Sequence, residues 1–295
     1  MRRACIDIGS NTTRLLVADC DGNEGLVERR QERAFTMLGR AIDASGAIPV
    51  AKLAEVLQAV AMQYAIAREL GAEQVRCVAT AGVRRASNGA TLVRLIRDAC
   101  PGLEPEILSG AEEARLAFIG AAWGTGAGAE HALGVVDAGG GSSELVIGDA
   151  PASVRWWVSL PLGSGDVTHR WLPSDPPTES ELDDALSRTR AAFAEVGRPP
   201  AVRRMIAVGG SATSLRLLAG PTLDLEALDR LLASAQRHSA VEFARSFGID
   251  VQRSRLLAGG LLILRVVSEL FGVPLEIGRG GLREGLLLDQ HRGVC

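Results

Sequence analysis

An α/β fold built from two domains of like topology is what the 295-residue sequence predicts, on three observations. One strand–turn–strand cassette is written twice, so that Asp7 of the first copy falls on Asp137 of the second. Short apolar strand runs alternate with helical stripes along the chain, the pattern of layered α/β units. The 47% apolar and 23% charged residues supply a core large enough for two domains and exclude disordered and fibrous classes.

The first cassette, residues 4–19, is an apolar strand with Asp7 near its end, a turn of Gly, Ser, Asn and Thr, and a second apolar strand ending at Asp19. Leu53, Val56, Leu57, Val60, Tyr64, Ala67 and Leu70 then form a helical stripe over 49–71, stopped by Gly71. Residues 74–80 follow as a strand, Asn88 caps a helix that ends before Pro101-Gly102, and 106–108 form a short strand. Ser109 to Glu112 is a capping box that opens a helix running towards Trp123. The Gly- and Ala-rich stretch 124–128 reads as the interdomain hinge, which puts the domains at 1–123 and 124–295. The second cassette, 134–149, repeats the first: Gly9 falls on Gly139, Thr12 on Ser142, Thr13 on Ser143, Leu15 on Leu145 and Asp19 on Asp149. Beyond the loop 173–177, Thr178 and Glu181 make another capping box before a long helix. A third strand-and-glycine-turn unit spans 206–215, and 224–236, 240–247 and 256–271 read as helices.

Phosphate is the physical reason for such turns. Glycine lets the backbone approach closely and take positive φ, so that successive N–H groups converge on one anion. The candidate phosphate-binding residues are Gly9, Ser10, Asn11 and Thr12 in the first turn and Gly139, Gly140, Gly141 and Ser142 in the second. Gly209, Gly210 and Ser211 add a turn at a helix N-terminus, another ready anion site. Asp7 and Asp137, at the ends of their strands, are placed to hold a hydrated Mg²⁺. An ordinary hairpin uses the same residue types; the repetition in register favours phosphate.

Other classes are disfavoured. A formal charge of −3 is wrong for a general nucleic-acid binder, and Trp156, Trp157 and Trp171 lack the basic neighbours of a base-stacking platform. The five scattered cysteines form no CxxC and fit a reducing compartment. The four histidines form no ligand pair. The first residues lack a signal-peptide apolar run, and the longest apolar stretch, 258–264, is too short to cross a bilayer. A cytoplasmic protein free of membrane and nucleic acid is expected.

The runs DIGSNTTRLLV, ATAGVRRASNG, ILSGAEEARLAFIG, VVDAGGGSSELVIG, VGGSAT and RGGLREGLLL occur in this order and cover nearly the whole chain. Together they resemble the exopolyphosphatase / guanosine pentaphosphate phosphohydrolase (Ppx/GppA) family, within the actin–hexokinase–Hsp70 superfamily. The resemblance implies two ribonuclease H-like, actin-like ATPase domains facing across a cleft. It implies Mg²⁺-assisted, in-line water attack on the terminal phosphate of inorganic polyphosphate or of guanosine pentaphosphate. Glu113, the second glutamate of Glu-Glu-Ala-Arg, would be the general base. Arg84 would clamp the scissile phosphate, and Glu144 would help Asp137 and Asp7 hold metal or water. Ala81-Gly82 stands where the family more often has Ser-Ala, which removes one hydroxyl contact and leaves the role of Thr80 open.

Plainer roles are expected for the neighbours. Glu112 is the capping-box residue that bonds back to the Ser109 amide, and Arg85 is a solvated surface arginine. Arg283-Glu284 braces a returning C-terminal segment, whose last helix is free to rejoin the first domain. Many relatives continue into a further helical domain that this chain does not show, so short-chain polyphosphate is the expected substrate, or a homodimer completes the groove. Guanosine pentaphosphate hydrolysis is the alternative. A kinase or ATPase of the same superfamily is disfavoured by the Glu-Glu-Ala-Arg run, and a non-catalytic phosphate or nucleotide sensor by the retained Glu113.

Overall fold

The computed structural model describes residues 1–21, 25–42, 44–125 and 132–292. The first sheet contains β1 (Arg2–Ile8), β2 (Thr13–Asp21), β3 (Gly25–Ala34), β4 (Gln74–Ala79) and β5 (Pro105–Ile107), in the order β3-β2-β1-β4-β5. β1, β2 and β3 form an antiparallel meander, and β4 and β5 continue parallel to β1. The second sheet contains β6 (Leu133–Ala138), β7 (Ser143–Asp149), β8 (Ser153–Leu160), β9 (Arg204–Val208), β10 (Thr222–Leu223) and β11 (Leu275–Ile277), in the order β8-β7-β6-β9-β11-β10. Again three strands form a meander and two more, β9 and β11, run parallel to the first. The doubled cassette is therefore the β1–β2 and β6–β7 hairpins of two sheets with one topology.

Helices α1 (Leu38–Ala41), α2 (Val50–Glu69), α3 (Ala81–Arg85), α4 (Gly89–Ala99) and α5 (Gly110–Thr125) connect the first strands and lead into the second unit. The second unit adds α6 (Ser164–Trp171), α7 (Glu179–Ala194), α8 (Gly209–Ala219), α9 (Leu225–Arg237), α10 (Ala240–Phe247), α11 (Val251–Arg255), α12 (Leu257–Phe271) and α13 (Leu282–Arg292). α2 and α4 bury Val56, Val60, Leu92 and Ile96 on one face of the first sheet, as their apolar spacing requires. α12 buries Leu261 and Leu264 with Val136 and Leu145 of the second. The expected hinge begins inside α5, at Gly124, and its residues 126–128 lie outside the described residues.

α5 serves both sheets. Its Phe118, Ala114 and Ala121 pack with Val135 and Val146 of the second. Leu116 packs instead with Cys5 and Leu16 of the first and with Leu286 and Leu287 of α13. The C-terminal helix thus returns to the first sheet, and it crosses α5 at backbone contact. A Cβ at Gly120 would overlap the Gly281 carbonyl, and one at Gly285 would overlap that of Leu116. Gly280 and Gly285 of the Arg-Gly-Gly-Leu-Arg-Glu-Gly run are thereby accounted for by packing. Gly285→Ala is expected to destabilise the protein by about 3 kcal/mol or more through overpacking against unyielding backbone; chemical denaturation measures it, and a loss under about 1 kcal/mol would show that the helices can slide apart.

Two local expectations change. Glu112 spends its carboxylate on Arg115, at 2.9 and 2.7 Å, although its N–H does bond the Ser109 hydroxyl. Arg115 also grips Asp289 of α13 with two bonds of 2.9 Å, and a fork of that shape outcompetes a single capping bond. Asn88 precedes α4, but its Oδ1 accepts from Ile48 N, at 2.8 Å, in place of a cap.

Candidate active site

The two hairpin turns are built alike. Gly9 N–H bonds Thr12 O at 2.9 Å, and Gly139 N–H bonds Ser142 O at 3.0 Å. The carbonyls of Gly139 and Gly140 accept from Ser164 and Gly165 N–H in the first turn of α6, both at 2.9 Å. Those of Ser10 and Asn11 accept from Gly39 at 2.7 Å and Met37 at 2.9 Å, so the α1 segment is the counterpart of α6. Met37 takes a left-handed φ of 45° to do this, an uncommon conformation for a residue with a side chain. Because a trans peptide sets C=O and N–H on opposite sides, the next N–H groups, of Asn11 and Thr12 and of Gly140 and Gly141, are directed away from these helical segments.

Between the turns lies a cavity of about 230 Å³. Its wall includes both turns, the third turn at Gly209, Gly210 and Ser211, and Asp7, Asp137 and Glu113. Gly209 has a φ of +89°, and a Cβ there would collide with the Asp137 carboxylate, so only glycine closes this turn. The structure therefore brings together every candidate phosphate-binding residue, two of the three candidate metal carboxylates and the candidate base.

Arg84 and Glu144 stand behind the wall. Arg84 Nη1 donates to Glu113 Oε2 at 2.8 Å and to Leu108 O at 2.7 Å, so its guanidinium orients the glutamate and is not presented to the cavity. Glu144 faces Asp137 across the β6–β7 pair and is 1% exposed, with Oε1 accepting from Ser159 Oγ at 2.8 Å. The equivalent position in the first hairpin, opposite Asp7, is Arg14.

Burial shapes the carboxylates. Loss of water raises Asp7 to about 6, opposed by Arg283 and Arg14. Burial raises Asp137 to about 7, and the charges of Glu113 and Asp7 push the same way. Burial also lifts Glu113 to about 7 against the pull of Arg84. Glu144 sits well above the usual carboxylate range, from burial first and then from Glu113 and Asp137. A carboxyl raised on folding binds more protons folded than unfolded, so stability falls as pH climbs from the ordinary carboxylate range past the raised value. Glu144→Gln removes that cost and is expected to raise Tm by about 2 °C or more near pH 8 and to change it little near pH 4. Equal melting shifts at both pH values would show that the carboxyl titrates alike in the folded and unfolded protein.

The sequence reading missed a wall of arginines. Arg14, Arg33, Arg253 and Arg283 come from β2, β3, α11 and α13 and all line the cavity. Burial lowers Arg14 to about 9, helped by Arg283, Arg33 and Arg253. Burial lowers Arg253 to about 10, helped by Arg33 and Arg283, and Arg33 is lowered by burial and then by Arg283. At neutral pH guanidinium stays charged, so this crowding is relieved by an anion. Three buried cavity atoms also have no hydrogen-bond partner: Asp7 Oδ1, Ser10 Oγ and Arg14 Nε. Buried polar atoms are rarely left so, and a ligand is the usual reason.

The carboxylates also fit a divalent cation. Among the described residues no three His, Cys, Asp or Glu side chains converge as ligands. Mg²⁺ does not need three, since it is commonly held by one or two carboxylates, with water and phosphate oxygens completing the shell. Asp7, with its unpartnered oxygen, and Asp137 supply that hard-oxygen pair.

Two actin-like domains that bring glycine-rich turns together over buried carboxylates define a protein of the actin–hexokinase–Hsp70 type. The chain belongs to the Ppx/GppA phosphatase family, whose model matches residues 21–292, and it is a phosphatase enzyme. It is 34% identical to exopolyphosphatase 2 of Mycobacterium tuberculosis, over 98% of each chain. It is 30% identical to exopolyphosphatase 1 of the same organism, over 98% of this chain and 88% of the relative. The crystal structure of the Aquifex aeolicus family member superposes with a TM-score of 0.84 at 27% identity, covering 99% of this chain and 98% of that one.

Proposed function

We propose that this protein is an exopolyphosphatase that releases the terminal phosphate of short inorganic polyphosphate with Mg²⁺. The observation that carries the reading is one cavity lined both by the carboxylates Asp7, Asp137 and Glu113 and by four crowded arginines. A polyphosphate chain is a row of anions, so its terminal unit would lie between the glycine turns while the following units meet the arginines. The mycobacterial relatives named exopolyphosphatase support the same substrate class.

Chemically, Glu113 holds the attacking water in line with the departing chain and takes its proton as the water oxygen bonds to phosphorus. The phosphorus–bridging oxygen bond breaks on the opposite side, and the shortened chain leaves with that oxygen's electron pair. Arg84 fixes the base, and the turn N–H groups with Ser10 Oγ receive the non-bridging oxygens. Asp7 and Asp137 would hold Mg²⁺, whose contribution is to neutralise developing phosphate charge. No covalent enzyme intermediate enters.

Guanosine pentaphosphate is the weaker alternative, because Phe35, the aromatic residue of the wall, is already covered by Arg33 at 5.7 Å. The four described cysteines are free and buried, which supports a cytoplasmic setting. The test is phosphate release with Mg²⁺ from short polyphosphate, long polyphosphate, guanosine pentaphosphate and ATP in parallel. Preference for short polyphosphate is the expected result. Preference for the guanosine nucleotide would move the function to nucleotide signalling, and no release from any of the four would sink the hydrolase reading.

A further inference from the structure

The two hairpin turns that line the cavity touch each other, and the contacts are sterically specific. Asn11, at the tip of the first hairpin, sits between Gly140 of the second hairpin and Gly165 of α6; a Cβ on either glycine would overlap its amide. Ser10 meets Gly141 in the same way. Arg85, read from sequence as a solvated arginine, reaches over that same Gly141. Its Nη2 lies 3.6 Å from Asp166 Oδ1 in α6, and its Nη1 lies 3.4 Å from Pro161 O. Asp166 is held in turn by the Gly163 N–H at 3.1 Å. Arg85 directly follows Arg84, whose guanidinium holds Glu113. The other cavity arginines, Arg33, Arg253 and Arg283, crowd Arg14 instead.

We propose that Asn11, seated between Gly140 and Gly165 and backed by Arg85 on Asp166, is the end wall that restricts this site to the terminal phosphate of a chain. The proposal rests on the polyphosphatase reading and deepens it by naming what makes the cleavage terminal. An internal phosphorus carries a second chain on one of the three oxygens that become equatorial in the transition state. That second chain needs an exit besides the one that leads past the arginines. Asn11 and Gly140 both line the cavity and touch each other, so their contact closes the gap between the two hairpins to a second chain. Glycines at 140, 163 and 165 are then needed for the closure itself, since a Cβ at Gly163 would likewise overlap the Gly140–Gly141 backbone.

The test compares short polyphosphate with the same chains capped at both ends as phosphoramidates of a small amine, for the unaltered protein, Asn11→Gly and Arg85→Ala. The unaltered protein is expected to cleave uncapped chains about a hundredfold faster than capped ones, the size of a steric exclusion by a formed pocket. Each variant is expected to narrow that ratio by about tenfold or more, with shortened chains rather than orthophosphate as the product from capped substrate. Arg85→Ala provides a folded variant if Asn11→Gly is unstable, because the Arg85 side chain is 31% exposed. Equal cleavage of capped and uncapped chains by the unaltered protein would overturn the wall. So would variants that hydrolyse uncapped chains with the ratio unchanged. Absence of phosphate release from uncapped chains by the unaltered protein would instead overturn the hydrolase reading beneath it.

Discussion

Glu113→Gln is expected to lower kcat by about a hundredfold or more while KM changes little, the signature of losing a group that acts only in the transition state. Glutamine keeps the size of the side chain and an oxygen for Arg84 Nη1, now 2.8 Å from Oε2, so position survives while proton acceptance is lost. The pH profile sharpens the test. Glu113 is raised to about 7 by burial, and only its ionised form accepts a proton. With the unaltered protein, kcat should therefore climb as pH rises through about 7 and level off above it. The variant should lose that limb along with the rate. Full activity in Glu113→Gln would place the base elsewhere, and Asp137, also raised to about 7 and on the same cavity wall, is the next candidate.

What could be read from sequence was whatever the chain writes locally. The two cassettes were legible because the turn chemistry and the strands on either side are contiguous, and their pairing across the hairpin, Asp7 with Arg14 and Asp137 with Glu144, follows from register alone. The C-terminal glycine run could be read as a returning brace, but not as a backbone crossing over Gly120, because nothing near residue 285 says which helix it will meet. Arg84 was placed on phosphate by resemblance; whether it faces the cavity or Glu113 depends on where α5 begins relative to α3, which is a tertiary fact. The arginine wall was invisible for the same reason. Arg33 lies in β3, whose run GLVERRQERA lacks the apolar alternation of a recognisable strand. Arg253 lies in α11, five residues long and opened by an Asp250 cap that accepts from Gln252 and Arg253 N–H. Single charges in a polar edge strand and in one short helical turn carry no periodic signal, and only folding brings them to one surface.

That wall makes the last prediction, and chain length is its variable. Arg253→Ala and Arg33→Ala are each expected to raise KM for polyphosphate by about tenfold or more with kcat nearly unchanged, since a charge-assisted bond to phosphate contributes about 1.5–3 kcal/mol. Arg253 also donates from Nη2 to Gly210 O, so its loss disturbs the third glycine turn as well. Arg33 has no such backbone duty among the described contacts; it covers Phe35 and is exposed, so Arg33→Ala isolates the charge. If both arginines hold units downstream of the one being cleaved, the penalty must grow from pyrophosphate to longer chains and then stop growing once the wall is filled. The steepness of KM against salt should fall in the variants for the same reason, because each removed cation releases one fewer counterion from the polyanion. A double variant whose effect is less than the sum of the two singles would show the arginines sharing one phosphate unit, and strict additivity would give each its own. A penalty equal for pyrophosphate and long chains would instead place Arg33 and Arg253 beside the terminal phosphate, and the chain would have to leave the cavity by another side.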